Sequence, residues 1–137
     1  MIAFFDTSVH IPLLSGRLSW DAVLREVGRC PVRLSPVVAS ELLRGVSGPD
    51  RRRVETLVSQ LVPLEPPSWR RCWYEAGRLL PKIFPDHEAL GLARLQNDCL
   101  LALTARYTGA FFLTADGHFE TLRRSVPFLL RSLQQAG

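Results

Sequence analysis

Four acids stand where a carboxylate could do chemistry: Asp6, Glu41, Asp98 and Asp116. Each lies at the end of, or inside, an apolar element. Asp6 follows Ile2-Ala-Phe-Phe5, Asp116 comes just after Ala110 to Leu113, and Asp98 precedes Cys99-Leu-Leu-Ala-Leu103. Glu41 has Val37, Val38, Leu42 and Leu43 as helical neighbours. If the short apolar runs are strands of a parallel sheet, their ends converge on the edge where open α/β sheets carry ligands. Carboxylates crowded into a partly dry cleft repel one another, and they stay ionised only with a cation among them. Hard oxygen donors, with no Cys or His at metal-ligand spacing, select Mg2+ or Mn2+. Such ions activate water and stabilise charge developing on a phosphate. Rival chemistries lack their scaffolds, since there is no Gly-rich phosphate loop, GxSxG elbow or HExxH pair.

Plainer roles exist for the same residues. Asp6 with Thr7 and Ser8, and Asp98 at an expected helix start, suit helix capping. Glu41 could pair with Arg44 on a surface, but so apolar a neighbourhood argues for a half-buried acid held for a reason. Asp86, His87 and Glu88 are adjacent in an expected turn, where solvated charge is the better explanation than a metal site.

The elements that must position these acids follow from pattern. Ile2 to Phe5 reads as a buried strand, Val9 to Leu14 as a short helix, and Trp20 to Val27 as a second helix between Ser19 and Gly28. Val32-Arg-Leu34 is a very short strand, and Ser35-Pro36 opens a helix that carries Glu41. Another helix starts at Gly48-Pro-Asp50 and uses Val54, Leu57, Val58 and Leu61 as its apolar stripe. Val62-Pro-Leu64 is a possible strand, confined by Pro63 to an edge. A long helix then begins at Ser68, with Trp69, Trp73, Ala76 and Leu80 expected inward and Arg70, Arg71 and Arg78 outward. Pro81 and Pro85 should break it. Asp98 is expected to open a helix apolar nearly all the way round, hence buried, and closed by Thr108-Gly109. Ala110 to Leu113 is a doubly buried strand, Phe119 to Arg124 a short helix, and Val126 to Leu130 a last edge strand. Strands alternating with helices predict an α/β domain around a parallel sheet.

At 137 residues one domain, 1–137, is expected. The 47% apolar composition suits an ordered globule that needs no disulfide or metal to fold. No apolar run approaches the ~18 residues of a membrane span. The opening Met-Ile-Ala-Phe-Phe-Asp6 lacks a basic leader region. Cys30, Cys72 and Cys99, odd in number and scattered, predict reduced thiols in a cytoplasmic protein. The net charge is +4, and Lys82 is the single lysine among seventeen basic residues. Arginine can grip phosphate bidentately, so the balance permits a nucleic-acid partner without requiring one.

Four segments in order carry a resemblance: Ile2-Ala-Phe-Phe-Asp6-Thr-Ser8, Ser35-Pro-Val-Val-Ala-Ser-Glu41-Leu42, Asn97-Asp98-Cys-Leu-Leu-Ala102 and Leu113-Thr-Ala-Asp116-Gly-His-Phe119. Together they resemble PIN-domain ribonucleases, and the small size resembles the VapC toxin branch of type II toxin–antitoxin pairs. The resemblance implies a three-layer sandwich with a mostly parallel sheet of about five strands. It implies Mg2+- or Mn2+-dependent cleavage of RNA, a homodimer, and a VapB-like antitoxin covering the cleft. Asp6, Glu41 and Asp98 would be the main metal ligands and Asp116 the fourth acid, with Thr114 and Thr7 or Ser8 supplying supporting hydroxyls. His118 departs from the pattern, because many relatives carry an acid there. The loss lowers the negative charge of the site, and His118 is either a phosphate contact or an ordinary surface histidine.

Two other functions fit parts of the pattern. A PIN-like module that binds RNA or protein without cutting would keep all four acids. A phosphatase with Asp6 as nucleophile would want a second acid two residues on, where this chain has Ser8.

Overall fold

Phe4 and Phe112 project from adjacent strands to one side of a sheet, while Ala3, Phe5, Phe111 and Leu113 project to the other. This period-two alternation gives each face of the sheet its own apolar layer. The computed structural model describes residues 1–133, so the last four residues of the domain expected from the sequence lie outside them. The strands are β1 (Ala3–Phe5), β2 (Val32–Arg33), β3 (Phe111–Thr114) and β4 (Leu129–Ser132), in spatial order β2-β1-β3-β4. All pairings are parallel, with Phe4 opposite Phe112 and Phe112 opposite Leu130. The expected Val62 to Leu64 strand contributes only an isolated bridge between Leu34 and Pro63. Pro63 has no N–H to extend the ladder, so among the described residues the sheet has four strands and one bridge where about five strands were expected. The last strand begins at Leu129 rather than Val126, beyond Pro127.

One face of the sheet is covered by α1 (Thr7–Leu14) and α2 (Trp20–Val27), which contribute Val9, Val23 and Val27. The other is covered by α3 (Pro36–Gly45), α4 (Arg51–Gln60), α5 (Trp69–Ile83), α7 (Leu92–Thr108) and α8 (His118–Arg123). A 3-10 turn, Gly48–Asp50, leads into α4, and the one-turn helix α6 (His87–Leu90) links α5 to α7. Helix ends follow local chemistry. Ser19 accepts from the Ala22 N–H and Ser35 from the Val37 N–H, each at 3.2 Å. Gly109 ends α7 at φ 70°, the left-handed conformation. Cys72 and Cys99 are buried and Cys30 half-buried, all three as free thiols.

Three expectations about helices need correction. Asp98 does not open its helix: α7 starts six residues earlier at Leu92, with Gly91 ahead of it at φ 103°. The capping explanation of Asp98 therefore falls. Trp73 is not inward; it is 46% exposed, and the buried stripe of α5 is Cys72, Ala76 and Leu80. Small residues at 72 and 76 allow α5 to lie along α7, which leaves no room for an indole. Pro81 does not break α5. It sits near the end, where the Phe84 N–H still reaches the Leu80 carbonyl at 2.9 Å.

Candidate functional site

In an all-parallel sheet every C-terminal strand end lies on one edge. The chain passes from β1 to β2 on one side and places β3 on the other. The crevice between β1 and β3 is thus the point where strand order reverses. Asp6 leaves β1 there, and Thr114 and Asp116 leave β3. Glu41, from α3, and Asp98, from α7, reach the same cleft. It has a volume of about 310 Å³, and its walls include all four acids, Thr7, Ser8 and Arg94.

Asp6 is 5% exposed and fully engaged. Its Oδ1 accepts from the backbone N–H of Ser8 at 2.7 Å and from the Ser8 hydroxyl. Its Oδ2 accepts from the Thr114 hydroxyl at 2.7 Å. Ser8 Oγ in turn accepts from the Ala115 N–H, and Thr114 Oγ1 from the Asp116 N–H, each at 2.9 Å. The two hydroxyls thereby bolt the ends of β1 and β3 together. Thr7 lines the cleft, but the hydroxyls holding Asp6 are those of Ser8 and Thr114. Asp6 also caps α1, so the capping explanation is true of this residue and coexists with its place in the cleft.

Asp98 lies on the second turn of α7, 6% exposed, and its Oδ2 is shielded from solvent with no hydrogen-bond partner. Burial, reinforced by the charges of Asp116 and Asp6, pushes its carboxyl up to about 8, although Arg94 pulls the other way. Burial likewise raises Glu41, against a hydrogen bond from Asn97, and raises Asp6 against the bonds from Ser8 and Thr114. Glu41 makes no ion pair with Arg44 among the described residues and lines the cleft instead. Asp116 differs. Burial works to raise it, but the His118 N–H at 2.9 Å and the Arg94 guanidinium at 2.7 Å outweigh burial and hold it low.

Oxygen donors with raised affinity for protons, one of them orphaned in a buried position, fit a hard divalent cation. Asp98, Asp116 and His118 are the tightest set: one donor atom from each lies within 4.8 Å of the others. Asp6 and Glu41 share the cleft outside that tight set. Among the described residues Asp86, His87 and Glu88 form no such group.

Two participants escaped the sequence reading. Arg94 falls between Pro85 and Asp98, where no helix was expected, and only the helical phase of α7, one turn before Asp98, would have revealed it. His118 appeared as a departure from a pattern, yet it stands 3.9 Å from Asp98 and 3.7 Å from Asp116. Beside the acidic cleft, and sharing Ser8 and Pro12 with it, is a larger one of about 600 Å³ that carries Arg17 and Arg25. Arg53 donates to the Leu14 carbonyl at 3.1 Å and Arg71 to Glu75 at 3.0 Å, so neither is an unengaged cation.

A search of curated proteins finds no match to this sequence. Among solved structures the chain is similar to VapBC-1 from nontypeable Haemophilus influenzae, with 18% identity and a TM-score of 0.65 over 98% of this chain and 100% of that one. It is also similar to VapBC2 from Rickettsia felis bound to a DNA fragment from the promoter, with 19% identity, a TM-score of 0.64 and the same coverage. At such identities the likeness is one of fold. Residues 3–125, from the first strand past the last acid of the cleft, match the model of the PIN domain, and the chain belongs to that family.

Proposed function

We propose that this protein is a divalent-metal-dependent endoribonuclease, the toxin of a VapBC-type pair. The observation that carries the reading is the convergence of Asp6, Glu41, Asp98 and Asp116 on one cleft, with Asp98 Oδ2 buried and unpartnered. Bound Mg2+ or Mn2+ would supply a Lewis acid that makes water more acidic and draws charge from the scissile phosphate. Asp6, Glu41, Asp98 and Asp116 are the residues that would hold it. Ser8 and Thr114 keep both oxygens of Asp6 fixed before any ligand arrives, which spares reorganisation later. Arg94, 63% exposed at its side chain, can turn from Asp116 to a phosphate without leaving the rim. Arg17 and Arg25 in the adjoining cleft give an RNA strand a cationic approach.

An apolar cleft of about 330 Å³, walled by Phe5, Leu13, Leu18, Trp20 and Leu61, supports the expectation of a VapB-like partner. A homodimer and a cytoplasmic location belong to the same reading. No described helix is long and apolar enough to cross a membrane.

The test is cleavage of a mixed RNA pool by purified, partner-free protein, with Mg2+ or Mn2+, with chelator, and with Asp98→Asn alongside. Cleavage should require both the metal and Asp98, while the variant keeps the parental circular dichroism spectrum. Arg94 seated on Asp116 is the one feature favouring a second reading, a silent PIN module that binds RNA or protein with its own cation in the cleft. Saturable RNA binding without cleavage in any lane would move the assignment there.

A further inference from the structure

His118 Nδ1 and Asp98 Oδ2 are both shielded from solvent, and neither has a hydrogen-bond partner. They face each other at 3.9 Å, with Asp116 Oδ1 3.7 Å from the same nitrogen. Buried polar atoms are nearly always satisfied. Two orphans that face each other, too far apart for a hydrogen bond, therefore leave room for a third party. Donors that each stand about 2.1 Å from one ion can be up to about 4.2 Å apart, so both separations suit a shared cation. The imidazole is not free to wander. Its ring packs edge-on against Phe84, with centroids 6.0 Å apart, and the next residue, Phe119, is fully buried.

We propose that His118 Nδ1 is a nitrogen ligand of the divalent-cation centre, beside Asp98 Oδ2 and Asp116 Oδ1, and that it shifts the preference of the site from Mg2+ toward Mn2+. The inference rests on the metal-dependent reading above. An all-oxygen site suits Mg2+, which holds its water tightly and has little use for imidazole. Mn2+ is also a hard ion, but as a transition ion that sheds its water more readily it accepts one imidazole nitrogen better than Mg2+ does.

The full-length chain, stripped with chelator and titrated with MnCl2, provides the test by pulsed electron paramagnetic resonance. Bound Mn2+ should carry a nitrogen-14 coupling, a readout that needs neither activity nor a variant. His118→Asp should keep Mn2+ bound and lose the coupling. The ratio of Mn2+ to Mg2+ affinity should fall by at least about tenfold, the scale on which even outer-shell partners tune a metal site. Mn2+ that is lost in Asp98→Asn yet shows no nitrogen coupling in the parental chain would overturn the proposal and leave the metal-dependent reading standing. So would an unchanged ratio in folded His118→Asp. If the parental chain binds no Mn2+ and cleaves RNA in chelator, both fail together.

Discussion

Arg94 illustrates how much one side chain can decide in a crowded site. Its guanidinium donates to Asp116 at 2.7 Å and lowers the proton affinity of Asp98. It is thus a resident cation competing with any ion that enters. Replacing it with Ala should raise Mn2+ affinity severalfold by calorimetric titration, whereas Arg94→Lys should stay close to the parental value. Thermal stability should change by about 1 kcal/mol or less, because the guanidinium is 63% exposed and solvent screens the pair from that side. Asp98 makes a second prediction, about pH. In metal-free protein its folded carboxyl titrates near 8 instead of 3.8, so between those values the folded state binds the extra proton. Its stabilisation is present at low pH and is lost as pH rises toward 8. His10, buried with its Nε2 unpartnered and lowered to about 4 from 6.5, has the opposite sign, since the unfolded chain takes up its proton below 6.5. The two oppose each other up to pH 6.5, and above it His10 no longer contributes. Melts in chelator should therefore show stability falling from pH 6.5 to 8. Saturating Mn2+ or Asp98→Asn should flatten that slope. Asp6 and Glu41, also raised by burial, act in the direction of Asp98.

At the scale of elements, local signals were strong at the ends. Ser19, Gly28, Ser35 and Gly109 each do what their side chain, or lack of one, predicts. Gly109 can be tested simply. A Cβ there would meet nothing within 4 Å, so Gly109→Ala should lose only backbone energy, about 1 to 2 kcal/mol in a denaturant titration. The places where pattern misled share a physical cause. The start of α7 was hidden because Arg94, Gln96, Asn97 and Asp98 look like a loop, yet such residues are tolerated in a helix that opens onto a charged cleft. Trp73 was misplaced because size suggested burial, whereas helix–helix approach selected Cys72 and Ala76. The four acids were legible as a set, since each adjoins or lies within an apolar stretch. The contribution of His118 was not legible, because it depends on how α8 leaves β3 and on a ring held against Phe84.

At the scale of the molecule, the two apolar layers meet the sheet through few side chains. Phe112 lies between Phe4 at 4.6 Å and Phe119 at 4.7 Å, all three fully buried. Phe112→Ala should cost about 3 to 5 kcal/mol by equilibrium unfolding. A domain whose total stability is about 5 to 15 kcal/mol would be left marginal. The hydroxyl bolts from Thr114 to Asp6 and from Ser8 to the Ala115 N–H join positions more than a hundred residues apart in the chain. Closing so long a loop carries an entropic cost that must be met before the contact can repay it, and such pairings slow folding. During synthesis β1 and Asp6 emerge first and wait for β3, and a chain interrupted before residue 111 lacks the Thr114 and Asp116 that close the cleft. The cleft, with whatever chemistry it carries, is therefore completed only near the end of synthesis, when β3 and Asp116 have been made.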